Sequence, residues 1–209
     1  MDISGNKATA YGLIAAAEKT GKTLYLGSYP ITPATDILHE LAKHKSLGVV
    51  TVQCEDEIAG CASAVGASFG GALAVTSTSG PGVCLKSEAM NLAVMTELPL
   101  VIINVQRGGP STGLPTKSEQ SDLLQALFGR NGESPMPVIA ASSPTDCFYK
   151  AYEAAKIALE HATPVILLTD AFIANGTGAF KVPEISGMDA INPPYVTEEM
   201  KGSWTPYMR

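Results

Sequence analysis

Between Thr51 and Ser68 the chain reads TVQCEDEIAGCASAVGAS: a short β-branched run, three consecutive acids, then a helix pattern built from Ala, Gly, Ser and Cys. This junction constrains the fold most. A buried strand running straight into a helix is the joint of a βα unit, and side chains this small let another backbone, or another subunit, approach closely. Acids in a first helical turn are favoured by the helix dipole. Burial at such a joint also raises a carboxyl pKa and suits the group to proton chemistry. Glu57 sits where a carboxylate is desolvated beside a tight interface, though Glu55, Asp56 and Glu57 all also read as first-turn acids.

The same alternation runs through the chain. Short apolar runs at 23–27, 48–54, 73–78, 99–105, 138–141 and 164–169 read as strands, separated by helix patterns at 7–20, 33–45, 58–69, 84–96, 118–128 and 145–161. The order predicts an α/β fold, a doubly wound parallel sheet with helices on both faces. Ligands of such sheets gather beyond the carboxyl ends of the strands. Those positions hold Tyr29-Pro30-Ile31-Thr32-Pro33, the acid cluster, Ser79-Gly80-Pro81-Gly82 and Arg107-Gly108-Gly109-Pro110. Residues 1–180 are expected to form this module. Residues 181–209, proline-rich and without periodicity, are expected to be an extended arm or linker, and their abrupt end resembles a chain interrupted before its next element.

Composition narrows the function. At 209 residues, 45% hydrophobic and 16% charged, the chain suits one α/β domain. A net charge of -6 with no Lys/Arg run argues against nucleic acid or an anionic membrane as partner. Cys54, Cys61, Cys84 and Cys147 form no C-x-x-C pair and lie in apolar segments, so they read as reduced core thiols. No apolar run approaches the ~20 residues of a spanning helix, and the polar start is unlike a signal peptide, which predicts the cytoplasm. His39, His44 and His161 fall on helix patterns away from the strand ends, and no metal site is expected in this chain.

Singly, the loops have modest meanings. Thr32-Pro33 reads as a helix cap followed by a first-turn proline, although a hydroxyl held that rigidly also suits a ligand carboxylate. Gly80-Pro81-Gly82 fits neither the dinucleotide fingerprint nor the P-loop; it reads as a tight turn or as amides facing a phosphate. Arg107, between an apolar strand and a glycine-rich loop, suits either a bidentate carboxylate pair or a surface ion pair.

In combination they are specific. GNKATAYG at 5–12, YPITPAT at 29–35, EDEIAGCASAVGAS at 55–68, TSTSGPG at 76–82 and VQRGGPSTGLPTKSEQSDL at 105–123 resemble the alpha subunit of 2-oxoacid:ferredoxin oxidoreductases, and within it the 2-oxoglutarate type. The resemblance implies the pyrimidine-binding module of the thiamine-diphosphate fold. It implies that Glu57 hydrogen-bonds the cofactor's aminopyrimidine and promotes loss of the thiazolium proton, that Thr32 and Arg107 bind the substrate carboxylate, and that Tyr29, Pro30 and Ile31 lie near the cofactor's reactive ring. The activity so implied is oxidative decarboxylation of a 2-oxoacid to an acyl-coenzyme A, with electrons passed singly to ferredoxin. The sequence has no Gly-Asp-Gly segment followed by Asn and no four-cysteine ferredoxin run. Magnesium, the diphosphate-binding module and iron–sulfur clusters are therefore expected on partner subunits, a beta subunit first among them, and the isolated chain is expected to be an inactive fragment. A branched-chain 2-oxoacid or pyruvate as substrate, a non-catalytic partner-binding module, and self-association into a homodimer remain open.

Overall fold

The computed structural model describes residues 1–205. The chain runs β1 (Asp2–Ser4), α1 (Gly5–Thr20), β2 (Leu24–Ser28), α2 (Thr35–Leu41), a 3-10 turn at Ala42–Leu47, β3 (Val49–Gln53), α3 (Glu57–Phe69), β4 (Leu73–Thr78) and α4 (Gly80–Met95). It continues through β5 (Leu100–Gln106), α5 (Leu123–Phe128), β6 (Val138–Ala140), α6 (Asp146–His161), β7 (Pro164–Asp170), α7 (Ala171–Asn175) and β8 (Thr177–Ala179). Six strands form one parallel sheet in the order β3-β2-β4-β5-β7-β6, as the alternation predicts. No helix among the described residues is long and apolar enough to cross a membrane.

Side chains alternate between the two faces of the sheet. Leu73, Val75, Val101 and Ile103 join a core with α1, α2 and α6, whereas Ala74, Leu100, Ile102 and Ile166 join a second core with α3 and α4. The first face is closed tightly. Gly12 lets α1 lie on α6, since a Cβ there would collide with the Phe148 carbonyl and approach Ala151 Cβ to 3.0 Å. Residues after β8 run back over this side: the Tyr152 hydroxyl donates to the Asp189 carbonyl, and the Lys19 ammonium to the Ile185 carbonyl at 3.1 Å.

Four details depart from the sequence reading. The small antiparallel pair of β1 and β8 and the short α7 are additional; Asp170 Oδ1 caps α7 by accepting from the Phe172 and Ile173 amides. The helix expected from residue 118 begins only at Leu123, because polar side chains of the preceding segment bind the loop after β5 and the end of β7 instead: Glu119 accepts from the Gly109 amide, and Gln120 donates to Asp170. Thr32 does not cap a helix, because Ile31–Ala34 forms a turn closed on the Ile31 carbonyl and α2 starts at Thr35 without a side-chain cap. Cys84 is exposed rather than buried, on the outer side of α4, with Gln125 Nε2 donating to its sulfur at 2.7 Å.

Candidate active site

Glu57 is the first residue of α3 and is half-buried. Asp56 sits in extended backbone and caps the helix, its Oδ1 accepting from the Ala59 amide at 2.7 Å. A carboxylate in that place satisfies an amide that otherwise has no partner. The small residues then divide by side. Gly60, Cys61, Ala64 and Ser68 turn inward, with Gly60 against Ser28 of β2, while Ala59, Ala62 and Gly66 stay exposed beside Phe69. Close approach to the chain's own sheet thus explains half of that composition.

The turn after β4 completes the surroundings of Glu57. A Cβ on Gly82 would collide with Thr78 Oγ1 and lie 2.8 Å from Glu57 Cγ. Glycine is needed there for space rather than for an unusual backbone angle, so the GPG segment serves close packing, one of the two readings its sequence allowed.

Lys86, which the sequence reading passed over, lies behind the same joint. It has no exposed surface, and its Nζ donates to Thr76 Oγ1 at 2.9 Å and to the Glu57 backbone carbonyl at 3.0 Å. Burial pulls its pKa below the ordinary lysine range. A signal for it existed: Val83, Lys86, Met90 and Ala93 are all buried on α4 at the spacing of one helix face, which places a lysine in a core row.

Thr32 and Arg107 meet, but through backbone. Arg107 is buried after β5; its Nη1 donates to the Thr32 carbonyl at 2.7 Å and its Nη2 to the Thr112 carbonyl at 2.9 Å. The guanidinium joins two loops with two of its five N–H donors, and its Nε has no partner. Thr32 and Tyr29 are exposed, whereas Pro30 and Ile31 are partly covered. Asn6 Nδ2 donates to the Pro33 carbonyl at 2.9 Å, so the GNKATAYG motif steadies the Thr32 loop. A groove of about 570 Å³ runs past Gly80, Pro81, Arg107, Ser111 and Thr112. Its Gly80-Pro81-Gly82 rim links the Arg107 loops to Glu57, all at the carboxyl edge of the sheet.

Polar residues converge on that edge from the α3/α4 side. Asn104 Nδ2 donates to Asp122 Oδ2 at 2.9 Å, while Gln106 donates to the Thr169 carbonyl and accepts from the Asp122 amide. The network was legible only as polar interruptions of the apolar β5 run.

Comparison with known proteins identifies this architecture. The sequence profile of the family described as pyruvate flavodoxin/ferredoxin oxidoreductase, thiamine diphosphate-binding, matches residues 16–208. The chain belongs to that family. It is 63% identical over 189 residues to the 2-oxoglutarate oxidoreductase subunit KorA of Mycobacterium tuberculosis, covering 90% of this chain and 29% of that protein. It is 42% identical to the 2-oxoglutarate synthase subunit KorA of Archaeoglobus fulgidus, covering 90% of this chain and 53% of that one. A solved structure, the 2-oxoglutarate:ferredoxin oxidoreductase of Magnetococcus marinus with 2-oxoglutarate, coenzyme A and succinyl-CoA bound, superposes with a TM-score of 0.89 at 38% identity. That match covers 95% of this chain and 34% of the other. The chain therefore spans between about a third and about half of the length of these three relatives. Membership also bears out the expected fold class and the resemblance to the 2-oxoglutarate-type alpha subunit.

Proposed function

We propose that this chain supplies the pyrimidine-binding side of the thiamine diphosphate site in a 2-oxoglutarate:ferredoxin oxidoreductase. The observation that carries the reading is the Glu57 carboxylate, fixed at the first turn of α3 and given room by Gly82, in a chain of a thiamine-diphosphate-binding family. The residues fit the pyrimidine half of the cofactor: a half-open carboxylate stands at the edge of a rigid sheet, beside a turn that has no side chain to obstruct a planar ring. When bound, thiamine diphosphate supplies the nucleophilic carbon and the electron sink that decarboxylation of a 2-oxoacid requires.

In this reading Glu57 holds a proton at a ring nitrogen of the pyrimidine and takes it back, which is general acid–base work. Tyr29, Pro30 and Ile31 wall the reacting side. Arg107 and Thr32 hold the substrate carboxylate. The guanidinium spends one N–H each on the Thr32 and Thr112 carbonyls and lines the groove beside Ser111 and Thr112, which supports a ligand-facing role. The similarity to enzymes named for 2-oxoglutarate favours that acid over pyruvate or a branched-chain acid.

The remaining parts we assign to partners. A beta subunit would bring the diphosphate-binding module, magnesium and iron–sulfur clusters, with ferredoxin and coenzyme A as further substrates. The outer sides of α3, α4 and α5 support such docking, since Ile58, Phe69, Leu85, Met95, Leu124 and Phe128 are all exposed there. Residues 1–180 would be the module and the segment from 181 onward an arm. We place the assembly in the cytoplasm, in keeping with four cysteines that form no disulfide.

The test is Glu57→Gln in the full-length chain co-expressed with its partner subunits. Turnover of 2-oxoglutarate should fall by about 10²–10⁴-fold, the usual contribution of a positioned acid–base group. Unchanged turnover would remove Glu57 from the chemistry.

A further inference from the structure

No charged side chain among the described residues is more deeply buried than Lys86, at 0% exposure. Burying an unpaired ammonium is strongly unfavourable, and a methionine of similar shape would avoid that cost. Yet no carboxylate oxygen among the described residues lies within ion-pair distance of Lys86. The charged and titratable groups around it are Glu57, Asp56 and Cys61 from the first turns of α3 and its cap, and Cys54 just after β3. The two carboxylates favour the protonated amine against its burial. The positive charge therefore sits beneath the joint that presents Glu57.

Its hydrogen bonds point the same way. Thr76 on β4 anchors the ammonium, and the ammonium in turn holds the Glu57 carbonyl. With Asp56 capping the amide of Ala59, the first turn of α3 is gripped from two sides, and the Glu57 side chain leaves that fixed backbone across Gly82.

We infer that Lys86 is a positioning residue for Glu57: its ammonium, anchored on Thr76, fixes the backbone from which the carboxylate projects toward the pyrimidine. The inference rests on the reading of Glu57 given above. A neutral side chain of similar size would keep the packing and lose that hold on the Glu57 carbonyl.

The experiment uses the full-length chain with its partner subunits, in four forms: Lys86→Met, Thr76→Val, Glu57→Gln and the Glu57→Gln/Lys86→Met pair. Lys86→Met should lower kcat by roughly ten- to a hundredfold and leave KM for the 2-oxoacid in place. The near-ultraviolet circular dichroism band of the bound pyrimidine tautomers should weaken in step with kcat. The double variant should be no slower than Glu57→Gln alone, since residues acting as a unit are not additive. Wild-type kcat in an assembled Lys86→Met enzyme, or a loss that simply adds to that of Glu57→Gln, overturns the inference. Should Lys86→Met fail to assemble, Thr76→Val decides: it keeps the lysine and removes its anchor, so kcat should fall with KM in place, and wild-type kcat overturns the inference. Full activity in Glu57→Gln overturns the reading of Glu57 itself, and this inference with it; loss there with none in Lys86→Met sinks the Lys86 inference alone.

Discussion

The two faces of the sheet solve opposite problems. On the α1/α2/α6 face nearly every inward residue is apolar, the helices approach through Gly12, and residues after β8 run across the outer side. The α3/α4 face is apolar only at the amino ends of its strands. Along β4 its inward row runs Ala74, Thr76, Thr78, and along β5 it runs Leu100, Ile102, Asn104, Gln106, so polar groups accumulate toward the carboxyl edge. Its helices are exposed and apolar on the outside, and α4 is apolar on almost all sides, as suits a helix covered from two directions. One face spends its burial on stability. The other carries buried polar groups, a buried cation and an open apolar exterior, as the proposed site shared with a partner would need.

Removing core volume from the closed face should have the largest effect on folding. Leu13→Ala empties a fully buried position on α1 and should destabilise the chain by about 2–5 kcal/mol in chemical denaturation. A loss below that range would mean the closed face is less tightly packed than the structure shows.

A pair of glycine substitutions sharpens the contrast. Gly12→Ala forces a methyl against backbone between α1 and α6, and overpacking of this kind costs about 1–3 kcal/mol. Gly82→Ala forces the same methyl against the Thr78 and Glu57 side chains, which shift more readily than backbone. The second variant should therefore melt closer to wild type, while the assembled enzyme loses roughly a hundredfold in turnover as Glu57 is displaced. Equal melting losses with full turnover for Gly82→Ala would erase the distinction between the faces.

Thiol reactivity separates the regions by depth. Burial pushes the Cys61 thiol up to about 11 and the Cys147 thiol up to about 12, from an ordinary value near 9.0. Both stay protonated in the folded chain at pH 8, and their contribution to stability should fade as pH rises above about 9, because only the unfolded chain then loses those protons. A disulfide reagent at pH 8 should label exposed Cys84 first, and Cys61 and Cys147 only after denaturation. Prompt labelling of Cys61 would show that the α3/α4 face opens.

How much of this was legible in the sequence follows from what each feature depends on. Strand and helix order was legible because periodicity is local, and the parallel sheet followed from it. The loss of the helix turns at 118–122 was not, since Glu119 and Gln120 form bonds to residues ten and fifty positions away in sequence. The same holds for Thr32: its sequence suits a cap, but the turn at Ile31 and the hold of Asn6 and Arg107 on its loop decide its place. The place of Glu57 at the joint of β3 and α3 was legible from composition there. Lys86 was legible only through its helix row, and its contacts with Thr76 and Glu57 depend on three elements coming together.

The smallest expected effect tests the open exterior. Phe69, at 82% exposure, and Met95, at 76%, gain almost nothing from burial in this chain, so replacing both by Ser should change its melting by no more than about 0.5 kcal/mol per site. In the full-length chain the same pair should weaken association with the partner subunits, because truncating a buried interface anchor typically costs about 1–2 kcal/mol or more. Sedimentation of the assembled complex over a dilution series reads that difference. Dissociation at higher concentration, with folding intact, is the expected result. Wild-type association would move the docking surface away from α3 and α4. A large fall in melting would show instead that these side chains already belong to the chain's own core.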